Sequence, residues 1–514
     1  MTSEIEGYRR AAKRLKKAHA AGAPKALARA AKALPRKRLG DLKHVDALHV
    51  VAREAGSESW PRLKLQLELK HATPEQLLRR LRAGLEHGFH WAVREVLARD
   101  PSLRHADFGI AAALYDTAFL RAGLAHNPKL ATTEVEGVLP LCHLAFSQWI
   151  KADGAEAEML ACAEMLQSHG ADVNVGKPEP GGSAHQLSPL YGAIGHADNL
   201  TLGRWLLQNG ANPNDGESLY HATEHGHRDG LRLLLEHGAQ PAGTNAMLRA
   251  LDFDDLEAVR LLLKAGADPD EGCGEGPSGE FATIPGALHH AGRRLCCAEM
   301  AELLIAAGAS LLAKWDGRSP YGTARIYGNA AVARTIAAAG GATALTPSDA
   351  LLAQAAEGRV PNGARIDPEI LSGETRGLIS AMAHLPAALP QIKAMVALGL
   401  EWDRPDGMGV PPVQTAGWHG VPEVMEYLLS LGPDLTHVNT WGGDLLGTIL
   451  HGSANAPDRE RCNHLSCVDL ALQAGLPLYR GYLLFTGNEA VAEKLLAFAE
   501  EHPERVLEAA EQGS

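Results

Sequence analysis

A short phrase recurs along this 514-residue chain: an apolar run, one or two small or polar residues, then glycine. It reads MLQSHGADVN at 165–174, LLQNGANPN at 206–214, LLEHGAQP at 234–241, LLKAGADPD at 262–270 and LLIAAGAS at 303–310. It continues as IAAAGGA at 336–342, MVALGLEWD at 395–403, LLSLGPDLT at 428–436 and LALQAGLPL at 470–478. Many of the intervals between these glycines lie near 28–33 residues, and longer ones hold Gly/Pro-rich insertions such as 176–186 and 271–282. Such a period constrains the fold strongly, because one unit of this length cannot bury its apolar face alone and has to stack on a copy of itself. Each glycine stands where a helix must stop, in the left-handed conformation that costs glycine no Cβ clash. The predicted fold class is all-α: a solenoid of stacked helix-turn-helix units with short hairpin loops.

About twenty residues before several of these glycines stands a second pattern: SPLYGA at 188, SLYHAT at 218, ALHHAG at 287, SPYGTA at 319 and PPVQTA at 411. A Ser-Pro start supplies an N-cap and a pre-set first turn. Together the two patterns resemble the ankyrin repeat, a T-P-L-H-x-A helix, a G-H turn, a second helix ending in Leu-Leu and a G-A-D-x-N hairpin. The resemblance covers roughly residues 85–480. Segments 86–107 and 116–133 look like two degenerate units, and 46–69 resembles the stretch that precedes many bacterial arrays, with Trp60 and Leu63 as core residues of an N-terminal cap. The expected organisation is a basic helical region and cap at 1–80, a first array at 81–340, an irregular helical join or degenerate repeat at 341–390, and a second array with a polar helical cap at 391–514.

Composition agrees with helices: 46% hydrophobic but only 5% aromatic residues suit small-residue helix packing better than a β-sandwich. No stretch approaches eighteen uninterrupted apolar residues, and the first thirty carry Lys and Arg where a signal peptide needs an apolar core. A cytoplasmic chain of bacterial type is expected. The seven cysteines, Cys142, Cys162, Cys273, Cys296, Cys297, Cys462 and Cys467, are odd in number and scattered, unlike a disulfide framework. Neither the Cys296-Cys297 pair nor CNHLSC at 462–467 has zinc-site spacing, so no metal or cofactor is expected.

The formal charge of −12 is unevenly divided. Residues 1–80 carry 19 Lys and Arg against 8 Asp and Glu, which leaves 30 against 53 for residues 81–514. The basic stretch 8–43 reads as solvated helices that lean on the chain's own acidic array; contact with nucleic acid or an anionic membrane is the lesser reading. The acidic array favours a protein partner with a basic patch.

In an ankyrin stack the two residues before the G-H turn point into the concave face. Aligning the units on their Leu-Leu pairs places there His196, Glu224 and His225, Asp252 and Phe253, Arg293 and Arg294, Tyr327, Trp418 and His419, and His451. As a binding groove, Phe253, Tyr327 and Trp418 are anchors, and the arginine pair grips a carboxylate or phosphate. The resemblance therefore implies a non-catalytic interaction scaffold, whose partner class includes an effector, a toxin met by its immunity protein, or a regulated enzyme. The alternative is a small-molecule site or a hydrolase or lyase with Glu224, His225, Asp252 and Arg293 as acid–base set and anion clamp. Residues 221–229, HATEHGHRD, also spell the H-x-x-E-H signature of inverzincin peptidases. The repeat register accounts for it as an inner helix and its turn, and puts Glu299 and Glu302, the nearest third ligands, on an outer helix facing away.

Overall fold

The computed structural model describes residues 3–35, 42, 44–153, 155–179, 185–271, 285–456, 462–484 and 487–508. Cys273, most of the 271–282 insertion, and parts of the 176–186 insertion and of the basic stretch 8–43 lie outside the described residues.

Helices alternate in pairs. Inner helices such as Ala246–Asp252, Ala287–Arg293, Pro320–Ile326 and Pro412–Trp418 stack on one another, and each is followed by an outer helix: Leu256–Lys264, Ala298–Ala306, Ala330–Ala338 and Pro422–Ser430. The chemistry of the ends sets the boundaries. All nine repeat glycines, at 170, 210, 238, 266, 308, 340, 399, 432 and 475, have φ between 80° and 110°. Behind them the next N–H returns to the carbonyl five residues back, at 3.0 Å from Ala171 to Leu166, Ala211 to Leu206, Ala267 to Leu262 and Leu400 to Met395. At the other end, Ser188 Oγ accepts from Tyr191 N at 2.9 Å and Ser319 Oγ from Gly322 N at 3.2 Å. At Ser218 the capping duty moves upstream, where Asp215 accepts from Ser218 N at 2.8 Å.

The join is more regular than its sequence suggests. Thr346 caps the helix Pro347–Ala356, which stacks on Pro320–Ile326 as a further inner helix. Its outer partner is missing. In that place come the short turn Pro368–Ile370 and the helix Gly373–Arg376, and Pro347–Ala356 packs directly on Leu389–Leu398. Strand is scarce: Lys177–Pro178 pairs antiparallel with Gln186–Leu187, and Leu478–Tyr479 parallel with Val506–Leu507.

The two ends of the stack meet. The helix Glu489–Glu501 packs on His464–Gln473, the last outer helix, and equally on His44–Glu54 and Trp60–Leu69 at the start of the chain. Its Val491 and Leu495 belong to the core of the second array, whereas its Leu496 belongs to an N-terminal core with Leu15, Leu48, Trp60 and Leu63. Trp60 and Leu63 are thus buried, as expected of core residues. Charges follow: Arg9 Nε lies 2.7 Å from Glu500, Lys16 Nζ 2.9 Å from Glu501, and His49 Nδ1 3.0 Å from Glu493. The C-terminal helix expected as a polar cap is covered, and the basic N-terminal helices lean on it.

Candidate functional site

Curvature turns the ends of the inner helices toward one another, so the concave face is a narrow lumen in which units distant in sequence touch. His196 Nε2 donates to the Glu86 carbonyl at 2.8 Å, three units upstream. Ser372 Oγ donates to Asp316 at 2.5 Å, and Arg293 lies 3.8 Å from Glu374, both from the first array to the join.

A continuous charge network runs along the lumen. His221 donates through Nε2 to Glu217 at 3.1 Å and through Nδ1 to Glu224 at 2.8 Å. Arg249 grips Glu224 Oε1 through Nε and Nη2 at 2.8 and 2.6 Å and reaches Asp252 through Nη1 at 3.0 Å. Asp252 Oδ1 also accepts from His290 Nε2 at 2.8 Å and faces Arg294 Nε at 2.9 Å. Burial by itself pushes the Asp252 carboxyl up, but the His290 bond and the charges of Arg294 and Arg249 hold it well below the carboxylate range. Glu224 is likewise raised by burial and lowered further by His221 and Arg249. Burial pulls His221 down, yet its bonds to Glu217 and Glu224 lift it to about 9.

The other expected site residues divide. His225 donates to the Ile194 carbonyl at 2.9 Å, and burial keeps its pKa low, as it does for His196. Phe253 lies beneath the Arg249 guanidinium, 4.9 Å from its ring centre. Tyr327 does not line the lumen as an anchor: it is 3% exposed and sits in the core with Leu352 and Leu378, where the join packs over the end of its helix. Arg293, Arg294, Trp418 and His419 are half-buried and His451 is exposed. Trp418 meets His419 edge-on at 4.6 Å, and His419 meets His384 at 5.2 Å.

The H-x-x-E-H spacing loses its meaning here, because the helix Ser218–His221 ends at the first histidine and His221 and His225 do not share a helical face. Among the described residues no group of three or more His, Cys, Asp and Glu is placed to hold a metal ion. The residues that sequence reasoning missed are Glu217, Arg249, Glu374 and His384. Arg249 was within reach, since R-x-x-D on one helix is an i,i+3 ion pair; His384 carries no signal, because the join has no clean repeat signature.

Residues 190–273 match the family model of ankyrin repeats (3 copies), a span that holds Glu217, His221, Glu224, Arg249 and Asp252 of the network. The chain thus carries ankyrin repeats, which are in general protein-interaction modules. Among solved structures, the human ASB11 ankyrin repeat domain aligns at 18% identity over 49% of this chain and 96% of that domain, with a TM-score of 0.23. No curated protein matches the chain.

Proposed function

We propose that this chain is a non-catalytic scaffold that holds a segment of a partner protein in the lumen, between Arg293 and Arg294 of the first array and Trp418, His419 and His451 of the second. The observation that carries this reading is a division of labour. The lumen's acids, Glu224 and Asp252, are consumed by Arg249 and the histidines, while Trp418 and His419 stay half-buried and His451 exposed, and aromatic residues dominate interface energetics. The hydrolase or lyase alternative needs a base free to exchange a proton with substrate. Glu224 and Asp252 are held ionised in ion pairs and His225 is committed to a backbone carbonyl, which favours the scaffold. The net acidity of residues 81–514 favours a partner with a basic surface around the inserted segment. An effector, a toxin or a regulated enzyme each fits that description. No helix among the described residues is long and apolar enough to cross a membrane.

The test is capture from native cells with cross-linking and mass spectrometry. Recovery of one partner is expected to fall by at least about tenfold when Trp418→Ala and His451→Ala are combined, and to survive Arg260→Ala on an outer helix. Absence of any partner, with a small molecule retained through purification, would move the reading to the enzyme.

A further inference from the structure

We propose that Arg294, His384 and His419 form a receptor for a phosphate-type oxyanion inside the lumen. The three hold equivalent places in their units. Arg294 directly follows the inner helix Ala287–Arg293, His384 stands two residues beyond Leu378–Met382, and His419 directly follows Pro412–Trp418. These are the helix ends that curvature gathers, as it brings His196 to Glu86 across a similar number of units.

Part of their donor capacity is unspent. Arg294 Nε stands 2.9 Å from Asp252 Oδ1 without the alignment of a hydrogen bond, and its Nη atoms make no hydrogen bond to another described residue. The His419 ring has no hydrogen-bond partner among the described residues, and His384 turns one ring nitrogen to the Ala381 carbonyl, leaving the other. His290, 8% exposed, also keeps Nδ1 unpartnered beside the same carboxylate.

Arg294 is the foremost charge acting on both rings. Burial first, and then the charge of Arg294, push His384 to about 3 and His419 to about 4, so both rings are neutral and each offers one N–H. The other charged groups nearby are Asp252, shared by Arg249 and His290, and Arg249 itself; His464 is engaged by the Trp418 carbonyl at 2.9 Å. A guanidinium whose charge reaches both rings, together with two imidazoles 5.2 Å apart, suits the divergent oxygens of a tetrahedral oxyanion better than a planar carboxylate, whose two oxygens face one way.

The group could arrive as free phosphate, as a small phosphate ester, or on a phosphorylated side chain. Inorganic phosphate, a phosphoserine peptide and its unphosphorylated twin are titrated into the full chain at constant ionic strength, followed by calorimetry and by the imidazole signals of His384 and His419. Saturable phosphate binding that moves both sets of signals is expected, weakened at least about tenfold by Arg294→Gln. A phosphopeptide that binds more tightly than phosphate, with an inert twin, assigns the group to a partner; equal affinity assigns it to a free or small-molecule phosphate. Lack of saturation, affinity unchanged in Arg294→Gln, or unmoved imidazole signals in the wild type overturns the site. Because the probe is phosphate and Trp418 and His451 stay intact, failure here is separate from failure of partner capture.

Discussion

Arg249 is the residue on which the lumen's electrostatics turn, since it joins Glu224 to Asp252 while its own side chain is 24% exposed. Removing one partner of a largely buried set strands the others. Arg249→Ala is expected to cost about 3 kcal/mol in urea unfolding, against less than about 1 kcal/mol for Arg293→Ala, whose partner Glu374 is 3.8 Å away and half-exposed. His221 gives the network a pH dependence. Its folded pKa of about 9 lies above the ordinary 6.5, so its contribution is complete below about pH 6.5 and is lost as pH rises through about 9. The Tm gap between wild type and His221→Gln is expected to be largest near pH 6.5 and to close by pH 10; a gap that widens with alkalinity would contradict this assignment. Of these residues, Glu224 and Asp252 were legible as lumen-facing from the register and Arg249 from its i,i+3 spacing to Asp252, but the pairing of Glu217 with His221 and of His290 with Asp252 was not, because alignment does not rank neighbouring columns.

At the scale of the element, the left-handed turn between inner and outer helices is a rule of the architecture. Gly226, Gly328 and Gly420 occupy it at φ 63–79°, whereas Leu295 holds φ 56° with a side chain that is 39% exposed. A leucine there bears left-handed strain of about 1–2 kcal/mol and joins none of the three apolar core clusters. Leu295→Gly is therefore expected to stabilise the chain by about 0.5–1 kcal/mol, after allowing for glycine's freer unfolded state, measured as a higher urea midpoint at constant m. The opposite holds at Gly452. A Cβ there would stand 2.0 Å from the Trp418 carbonyl, where two inner helices approach, so Gly452→Ala is expected to cost about 3 kcal/mol or to abolish folding. Caps and stops were readable because they are local: a Ser-Pro pair or a glycine acts within one turn. The helix Pro347–Ala356 was obscured because, with its outer helix replaced by loop, the phrase that marks the other units is absent after it.

At the scale of the molecule, the closure of the stack is the feature that no single unit announces. Glu489–Glu501 has two apolar sides, one on the last array unit and the other on the first helices, so each end of the solenoid covers the other. Leu496, 2% exposed, is the hinge of that arrangement. Leu496→Asp places a charge in the N-terminal core and is expected to free the first helices, seen as a larger radius of gyration in X-ray scattering and new proteolysis between residues 69 and 74. An unchanged radius would mean that the array's own curvature keeps the ends together.

The sequence by itself determined the unit: its period, its two helices, its caps, and the need of each apolar face for a neighbour. Those are short-range facts. Only the tertiary structure decided how much each unit rotates on the last, and small rotations accumulate over the whole stack. That sum brings His196 to Glu86, turns the arginines of one array toward the histidines of another, buries Tyr327 under the join, and sets the C-terminal helix against the N-terminal ones. No residue pattern within a single unit records it.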